Sequence, residues 1–253
     1  MIKMILSDLD HTLLRQDGTI SGNTLDVLSG CRSRGILFGI ATARYWIGAE
    51  KYIDLLKPDI EITTDGTVVH AGDKCIYSCA FSKEDTKFIV ESLFEAVPDA
   101  EITVADGKTV YWNSKHIAES ERLHKAVYTD YSPIPDVMAN KIVAALSDGQ
   151  IAERIAAEAG CRIQCYRNEN WYSFLPKDSG KTAAIRSLAS SIGIEAGDIA
   201  AFGDDDNDIE MLRLCGTGVA VANAVPEVLK AADTVTLSND QDGVADWIRR
   251  NCL

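Results

Sequence analysis

Positive charge is what this chain has too little of. Lys and Arg total 25 against 38 Asp and Glu, for a formal net charge of −13. A field of that sign repels nucleic acid and anionic membranes, so neither is an expected partner. It also disfavours anionic small molecules, and a phosphate site would need local positive charge or a metal ion. Long apolar runs are missing too. The longest, near 36–43, falls far short of the roughly 20 residues a membrane span requires. Before Asp8 the N-terminus offers only Lys3 and a brief apolar run, which is not the shape of a signal peptide, so cytoplasmic residence is expected. There is no internal repeat and no low-complexity segment. The seven cysteines include no C-x-x-C pair. Cys75/Cys79 and Cys161/Cys165 are each spaced four apart and would share a strand face, but without knuckle spacing they read as buried reduced thiols.

What the chain does have is the composition of a soluble globular protein, 46% hydrophobic and 25% charged over 253 residues. That length suits one large or two modest domains. In the first third, buried strands at 2–7, 36–41 (ILFGIA) and 60–63 alternate with helices. One helix is capped by Ser21 and runs to about residue 34, and another spans about 46–56. The last third repeats the style, with strands at 199–203 (IAAFG), 218–221 and 234–237 among helices at 183–192, 209–214, 225–231 and 243–248. Continuous apolar strands joined by helices predict a doubly wound parallel sheet, an α/β fold.

The middle is different. Strand patterns at 74–80, 101–105, 109–113, 141–147, 162–167 and 171–175 alternate more and carry hairpin signals such as Asp106-Gly107. Helical patterns fall at 83–97, 115–126 and 150–160. The expected organisation is an α/β core from 1–80 and 177–253, with an α+β domain inserted at 81–176.

Four strand ends hold unusual polar residues, where open parallel sheets collect function. Asp8 and Asp10 follow the first strand. On extended backbone their carboxylates face the same way, and a hard cation such as Mg²⁺ would relieve their repulsion. Alternatively, one caps the next turn and the other is solvated. Thr42, Ala43 and Arg44 follow the second strand and could hold an oxyanion, or Thr42 could simply cap a helix. After 199–203 comes Gly203-Asp204-Asp205-Asp206-Asn207-Asp208, four carboxylates in five residues. They suit a cation or form a solvated acidic loop. Lys181 opens a helix and gains meaning only from this company. Together the four fit phosphoryl transfer: a carboxylate attacks phosphorus, its neighbour moves the proton, and metal and Lys neutralise the equatorial oxygens.

At this point the sequence resembles the haloacid dehalogenase superfamily. "DLDHTLL" resembles the D-x-D-G-T-L motif, "IATAR" the Thr/Ser motif, "SGKTAAI" the lysine motif and "GDDDNDIEML" the G-D-x-x-N-D motif. Order and spacing are similar to the Cof-type branch, which has a large cap inserted between the Thr and Lys motifs and a Rossmann-like core. The tail "VAVANAVPEVLKAADTVTLSNDQDGVADWI" resembles that branch as well. The resemblance implies Asp8 as nucleophile and Asp10 as general acid/base. It implies Mg²⁺ held by Asp8, Asp204 and the Asp10 backbone carbonyl, with Asp208 acting through water. Thr42, Lys181 and Asn207 would grip the phosphoryl group, with Arg44 as a further candidate; Asp205 and Asp206 fall at variable positions. Three departures stand out: His11 in place of the usual Gly, Ala43 in place of a common Gly, and Asp65-Gly66 where Asn-Gly is frequent. The last would put an extra carboxylate near the mouth.

The function implied is a Mg²⁺-dependent phosphatase of small phosphorylated metabolites, sugar phosphates foremost, in a monomer or small homo-oligomer. Cap aromatics Tyr111, Trp112, Trp171 and Tyr172 could stack on a substrate ring, or pack in a core. The enzyme alternative is a sugar phosphomutase. The alternative from another class, a phospho-acceptor signalling domain, is disfavoured by Asp10 and by the long insertion.

Overall fold

Six parallel strands form the part of the eight-stranded sheet that carries the site, and their order follows from how the chain leaves the first of them. The computed structural model describes residues 2–114, 125–166 and 169–253. In chain order the strands are β1 (Met4–Ser7), β2 (Leu37–Ala41), β3 (Ile60–Thr63), β4 (Val68–Ala71), β5 (Lys74–Ser78), β6 (Ile102–Asp106), β7 (Thr109–Trp112), β8 (Val127–Tyr128), β9 (Lys141–Ala145), β10 (Arg162–Cys165), β11 (Trp171–Leu175), β12 (Ile199–Gly203), β13 (Thr217–Ala220) and β14 (Thr234–Val235). The helices are α1 (Gly22–Ser33), α2 (Trp46–Leu56), α3 (Lys83–Ala96), α4 (Gly149–Ala159), α5 (Lys181–Ile192), α6 (Ile209–Leu214), α7 (Pro226–Ala231) and α8 (Gly243–Asn251). The helical pattern at 115–126 falls, except for its last two residues, outside the described residues. So does the end of the strand pattern at 162–167.

The chain forms two compact units. The first comprises Met1–Ala43, Lys51–Tyr77 and Gly180–Leu253; the second comprises Arg44–Glu50 and Ser78–Ser179. The sheet of the first unit runs β14-β13-β12-β1-β2-β3-β4-β5. From central β1 the chain winds outward through β2 and β3, then returns to build β12, β13 and β14 on the other side, all in parallel. This is the expected doubly wound α/β core. Every residue of β1 (MILS) and β12 (IAAFG) is buried, which is why both read as unbroken runs rather than alternating patterns. Phe202 of β12 meets Trp247 of α8 edge-on, ring centroids 5.3 Å apart, a contact worth about 0.5–1.5 kcal/mol beyond its buried area.

The apolar periodicity did not expose β4. It pairs antiparallel to β3 and ends the parallel run. Its four residues, VVHA, follow a turn so tight that no separate segment stands out.

Local signals set the helix ends. Ser21 Oγ accepts the Thr24 N–H at 3.0 Å to open α1, and Ser82 Oγ does the same for Asp85 at α3. Gly160, left-handed at φ 62°, closes α4.

The second unit has the sheet order β10-β11-β9-β6-β7-β8. One face, bearing Ile102, Val104, Ile142, Ala144 and Phe174, packs with α3 and α4 in a single apolar core. Tyr111 and Tyr172 belong to that core face, and so serve packing rather than stacking on a ligand. Trp112 and Trp171 lie on the other face, in register with Thr103 and Ala145. The segment that follows β2 belongs to this unit because Tyr45 Oη hydrogen-bonds Thr103 Oγ1 at 2.6 Å and Trp46 stacks under the Lys108 ammonium.

Candidate active site

Asp8 is the first residue past β1, Thr42 the first past β2 and Asp204 the first past β12. Those strands are neighbours, so three residues far apart in sequence emerge side by side. Between β1 and β12 the strand order reverses, which opens the crevice where such sheets bind ligands. The Asp8 N–H donates to the Phe202 carbonyl at 3.0 Å and ties the start of the loop to β12.

Past Asp8 the chain does not stay extended. Leu9–Leu13 form one wide turn, closed by the Leu14 N–H on the Leu9 carbonyl at 2.8 Å. His11 sits in the left-handed region, φ 59° and ψ 2°. That explains the glycine of the family pattern: the position demands a conformation glycine adopts freely. The His11 side chain is exposed and its carbonyl accepts from Asn223 at 2.8 Å, so it fills a turn. Thr12, two residues beyond Asp10, is buried and its Oγ1 donates to Asp204 Oδ1 at 2.6 Å. In the sequence Thr12 had no role of its own; the available signal was its place as the Thr of the D-x-D-G-T-L pattern, just before two leucines.

The fold gathers the carboxylates of Asp8, Asp204 and Asp208, all buried, with ligand oxygens within 4.8 Å of one another. Asp10 is half-buried and its carboxylate is not part of that set. The cation the sequence reading placed between the Asp8 and Asp10 carboxylates therefore has a different set of side chains available. Lys181, the first residue of α5, is 5% exposed. Its Nζ donates to Asp8 Oδ1 at 2.7 Å and to Asp208 Oδ1 at 2.6 Å. The other oxygen of Asp208 accepts the N–H groups of Asp204 and Asp205 at 3.0 and 3.2 Å. Asp208 thus clamps the acidic loop and the lysine together. Gly203 makes this possible, because a Cβ there would lie 2.4 Å from that of Asp208.

The charge balance is lopsided. Three carboxylates are buried together, and the Lys181 ammonium bonds two of them, Asp8 and Asp208. Burial first, then Asp208 and Asp204, push the Asp8 carboxyl well above its ordinary range against the opposing pull of Lys181. Asp204 is pushed up to about 6, chiefly by burial, despite its bond from Thr12. Burial works against the charge on Lys181, but Asp208 and Asp8 outweigh it and hold the lysine protonated. Hard oxygen donors carrying excess negative charge suit a divalent cation such as Mg²⁺.

The remaining candidates divide. Thr42 is buried; its N–H donates to Ile62 at 2.8 Å and its carbonyl accepts from Asp65 at 3.2 Å. Asn207 is half-buried in the short turn Asp206–Asp208. Arg44 groups with the second unit and donates to the Gly48 carbonyl at 3.1 Å. Asp65 is 5% exposed, so its carboxylate is buried rather than displayed at an open mouth. Thr64, Asp65 and Gly66 all have positive φ, and Gly66 presses on the start of α5, where a Cβ would come within 2.4 Å of the Lys181 nitrogen. Only glycine fits between the end of β3 and the helix that presents the lysine.

The comparisons with known proteins agree with this geometry. The model of the haloacid dehalogenase-like hydrolases matches residues 5–248. The chain belongs to that family. It is a phosphoric monoester hydrolase of the Cof-type branch. Among its relatives, the stress response protein YhaX of Bacillus subtilis is 29% identical over 269 residues, 97% of this chain and 92% of that one. The B. subtilis 5-amino-6-(5-phospho-D-ribitylamino)uracil phosphatase YwtE is 27% identical over 277 residues, covering 98% of this chain and 97% of its own. A crystal structure of a haloacid dehalogenase-like hydrolase from Bacteroides thetaiotaomicron superposes with a TM-score of 0.83 at 25% identity and 99% coverage of both chains. Among the described residues, no helix is long and apolar enough to cross a membrane.

Proposed function

We propose that this phosphohydrolase is a Mg²⁺-dependent phosphatase of small phosphorylated metabolites, sugar and polyol phosphates foremost, working through an aspartyl-phosphate. The observation that carries this reading is the buried set of Asp8, Lys181, Asp208 and Asp204 at the carboxyl ends of adjacent β1 and β12. A relative whose name gives a phosphoribityl compound as its substrate supports the substrate class.

Under this reading Asp8 attacks phosphorus in line with the departing oxygen, which takes a proton from Asp10. The phosphoryl group then rests on Asp8. Asp10, now a carboxylate, draws a proton from water, the water attacks phosphorus, and phosphate leaves with Asp8 restored. Lys181 balances charge at the attacking carboxylate, while Thr42 and Asn207 donate to the phosphoryl oxygens. Mg²⁺, held by Asp8, Asp204, the Asp10 backbone carbonyl and, through water, Asp208, would neutralise charge on the transferring group. The second unit, with residues 81–176 as the inserted cap, would select the leaving group.

Phosphate release measured across a panel of phosphorylated sugars and polyols, with and without magnesium, tests this reading. Release only with magnesium supports it. Transfer to a second sugar without free phosphate would instead favour a mutase.

The Asp204 shift yields a further expected result. Its folded value of about 6 lies above the unfolded value near 3.9, so the native state holds the extra proton between the two. This group's contribution to stability is therefore greatest at low pH and declines as pH rises through about 6. A cation needs the carboxylate ionised. The gain in Tm on adding magnesium should thus be larger at neutral pH than below about 6, and Asp204→Asn should level the difference. Equal gains at both pH values in the unsubstituted chain would count against Asp204 as a ligand.

A further inference from the structure

Two asparagines beyond β12 have no part in the catalytic reading, yet both reach the turn that bears Asp10. Asn223 stands in the turn past β13, which the Ala224 N–H closes on the Val221 carbonyl at 2.9 Å. The Val225 N–H donates to the Asp204 carbonyl at 2.9 Å and ties this turn to the acidic loop. The Asn223 amide uses both of its ends. Its Nδ2 donates to the His11 carbonyl at 2.8 Å, and its Oδ1 accepts the Asn239 N–H at 2.9 Å. Asn239, 2% exposed, donates from Nδ2 to the Leu14 carbonyl at 2.9 Å. The wide turn Leu9–Leu13 is thus held at His11 and again just past its end, by residues 212 and 225 positions away along the chain.

His11 is where this turn needs holding. A side chain at φ 59° is strained as glycine would not be, and Asp10 lies immediately before it. The peptide that carries the His11 carbonyl leads directly to Thr12, whose Oγ1 donates to Asp204 Oδ1 at 2.6 Å. The backbone just after Asp10 therefore has two anchors, Asn223 on the carbonyl and Asp204 on the hydroxyl. Fixing the direction of that carbonyl fixes ψ of His11, and with it the path of the chain between Asp10 and Thr12. A general acid works only within hydrogen-bond reach of the departing oxygen, so a small swing of its turn costs rate.

We propose that Asn223 is a positioning residue for Asp10: its amide holds the His11 carbonyl, keeps the turn in its left-handed form and so aims the acid at the leaving oxygen. Asn239 supports it by orienting the Asn223 amide and fixing the end of the turn. This rests on the phosphatase reading above, in which Asp10 protonates the leaving group.

The test compares kcat/KM for sorbitol 6-phosphate, whose alkoxide must be protonated as it leaves, with p-nitrophenyl phosphate, whose phenolate leaves unaided. That ratio covers the steps up to departure of the group, where Asp10 gives its proton. Asn223→Ala should lower it about tenfold on sorbitol 6-phosphate, the scale of one lost hydrogen bond, and less than about threefold on p-nitrophenyl phosphate. Asn223→Asp keeps the acceptor for the Asn239 N–H but loses the donor to His11, and should show the same split. Its added charge weighs on both substrates and cancels from the comparison, so it decides the matter if Asn223→Ala fails to fold. His11→Gly, which takes up the left-handed form freely, should recover part of the loss when combined with Asn223→Ala. An equal loss on both substrates, or none on either, overturns the proposal, as does a loss that His11→Gly leaves untouched. Asp10→Asn should show the split on a larger scale. If it does and the Asn223 variants do not, this inference falls alone; no split in Asp10→Asn removes the acid role of Asp10 and this inference with it.

Discussion

Asp8→Asn should abolish turnover while leaving the protein folded. An amide cannot form the phosphoryl-enzyme, and loss of a nucleophile of this kind costs on the order of 10⁴-fold or more in kcat. Fold should survive for a reason internal to the site. Asp8 is one of three buried carboxylates around a single ammonium, and burial already disfavours its charge. The Asn oxygen can still accept from Lys181, which keeps Asp208 as its charged partner. Tm without magnesium should therefore be unchanged or higher, and the covalent phosphoryl adduct detectable by mass in the unsubstituted chain should be missing. Residual turnover above a few per cent would remove Asp8 from the nucleophile's role.

Lys181→Met should have the second large effect, and here stability suffers along with activity. The substitution keeps the bulk of the stem but leaves Asp8 and Asp208 buried without their shared cation. Breaking a buried pair from one side costs about 3–5 kcal/mol, which for a chain of this size lowers Tm by roughly 10 °C. Turnover should fall by on the order of 10²-fold, because the charge at the attacking carboxylate is no longer balanced. Added magnesium should restore part of the lost Tm, since a divalent cation answers the same excess of negative charge. An unchanged Tm in Lys181→Met would mean that the two short contacts contribute nothing net to folding.

The acidic and Thr motif residues were legible in the sequence because they follow the ends of apolar strands, where a polar group needs a reason, whereas Lys181 opens a helix and gained meaning only from them. What Asp208 touches was not legible. It was expected to act on a metal through water, and it also clamps Lys181 to the loop amides through both of its oxygens. No spacing rule reveals that, since Lys181 and Asp8 are 173 residues apart. His11 stood out only as a departure from the usual glycine; its backbone in the left-handed region shows why the position favours glycine. Two of the four cap aromatics, Tyr111 and Tyr172, turned out to be core residues, because strand parity alone does not say which face the helices cover. The same parity, once fixed by register, brought Lys141 and Trp112 to the opposite face.

By itself the sequence determined the class of fold, the family and the chemical types gathered for phosphoryl chemistry, because apolar period and strand-end polarity are local and read directly. Only the tertiary structure decided which buried carboxylates lie within reach of one another, that Gly203 and Gly66 must lack a side chain, and that a lysine lies buried between two tyrosine rings. Those facts depend on distances between atoms that the chain brings together from opposite ends. Electrostatic energy and steric overlap are set by that distance, which sequence separation does not encode.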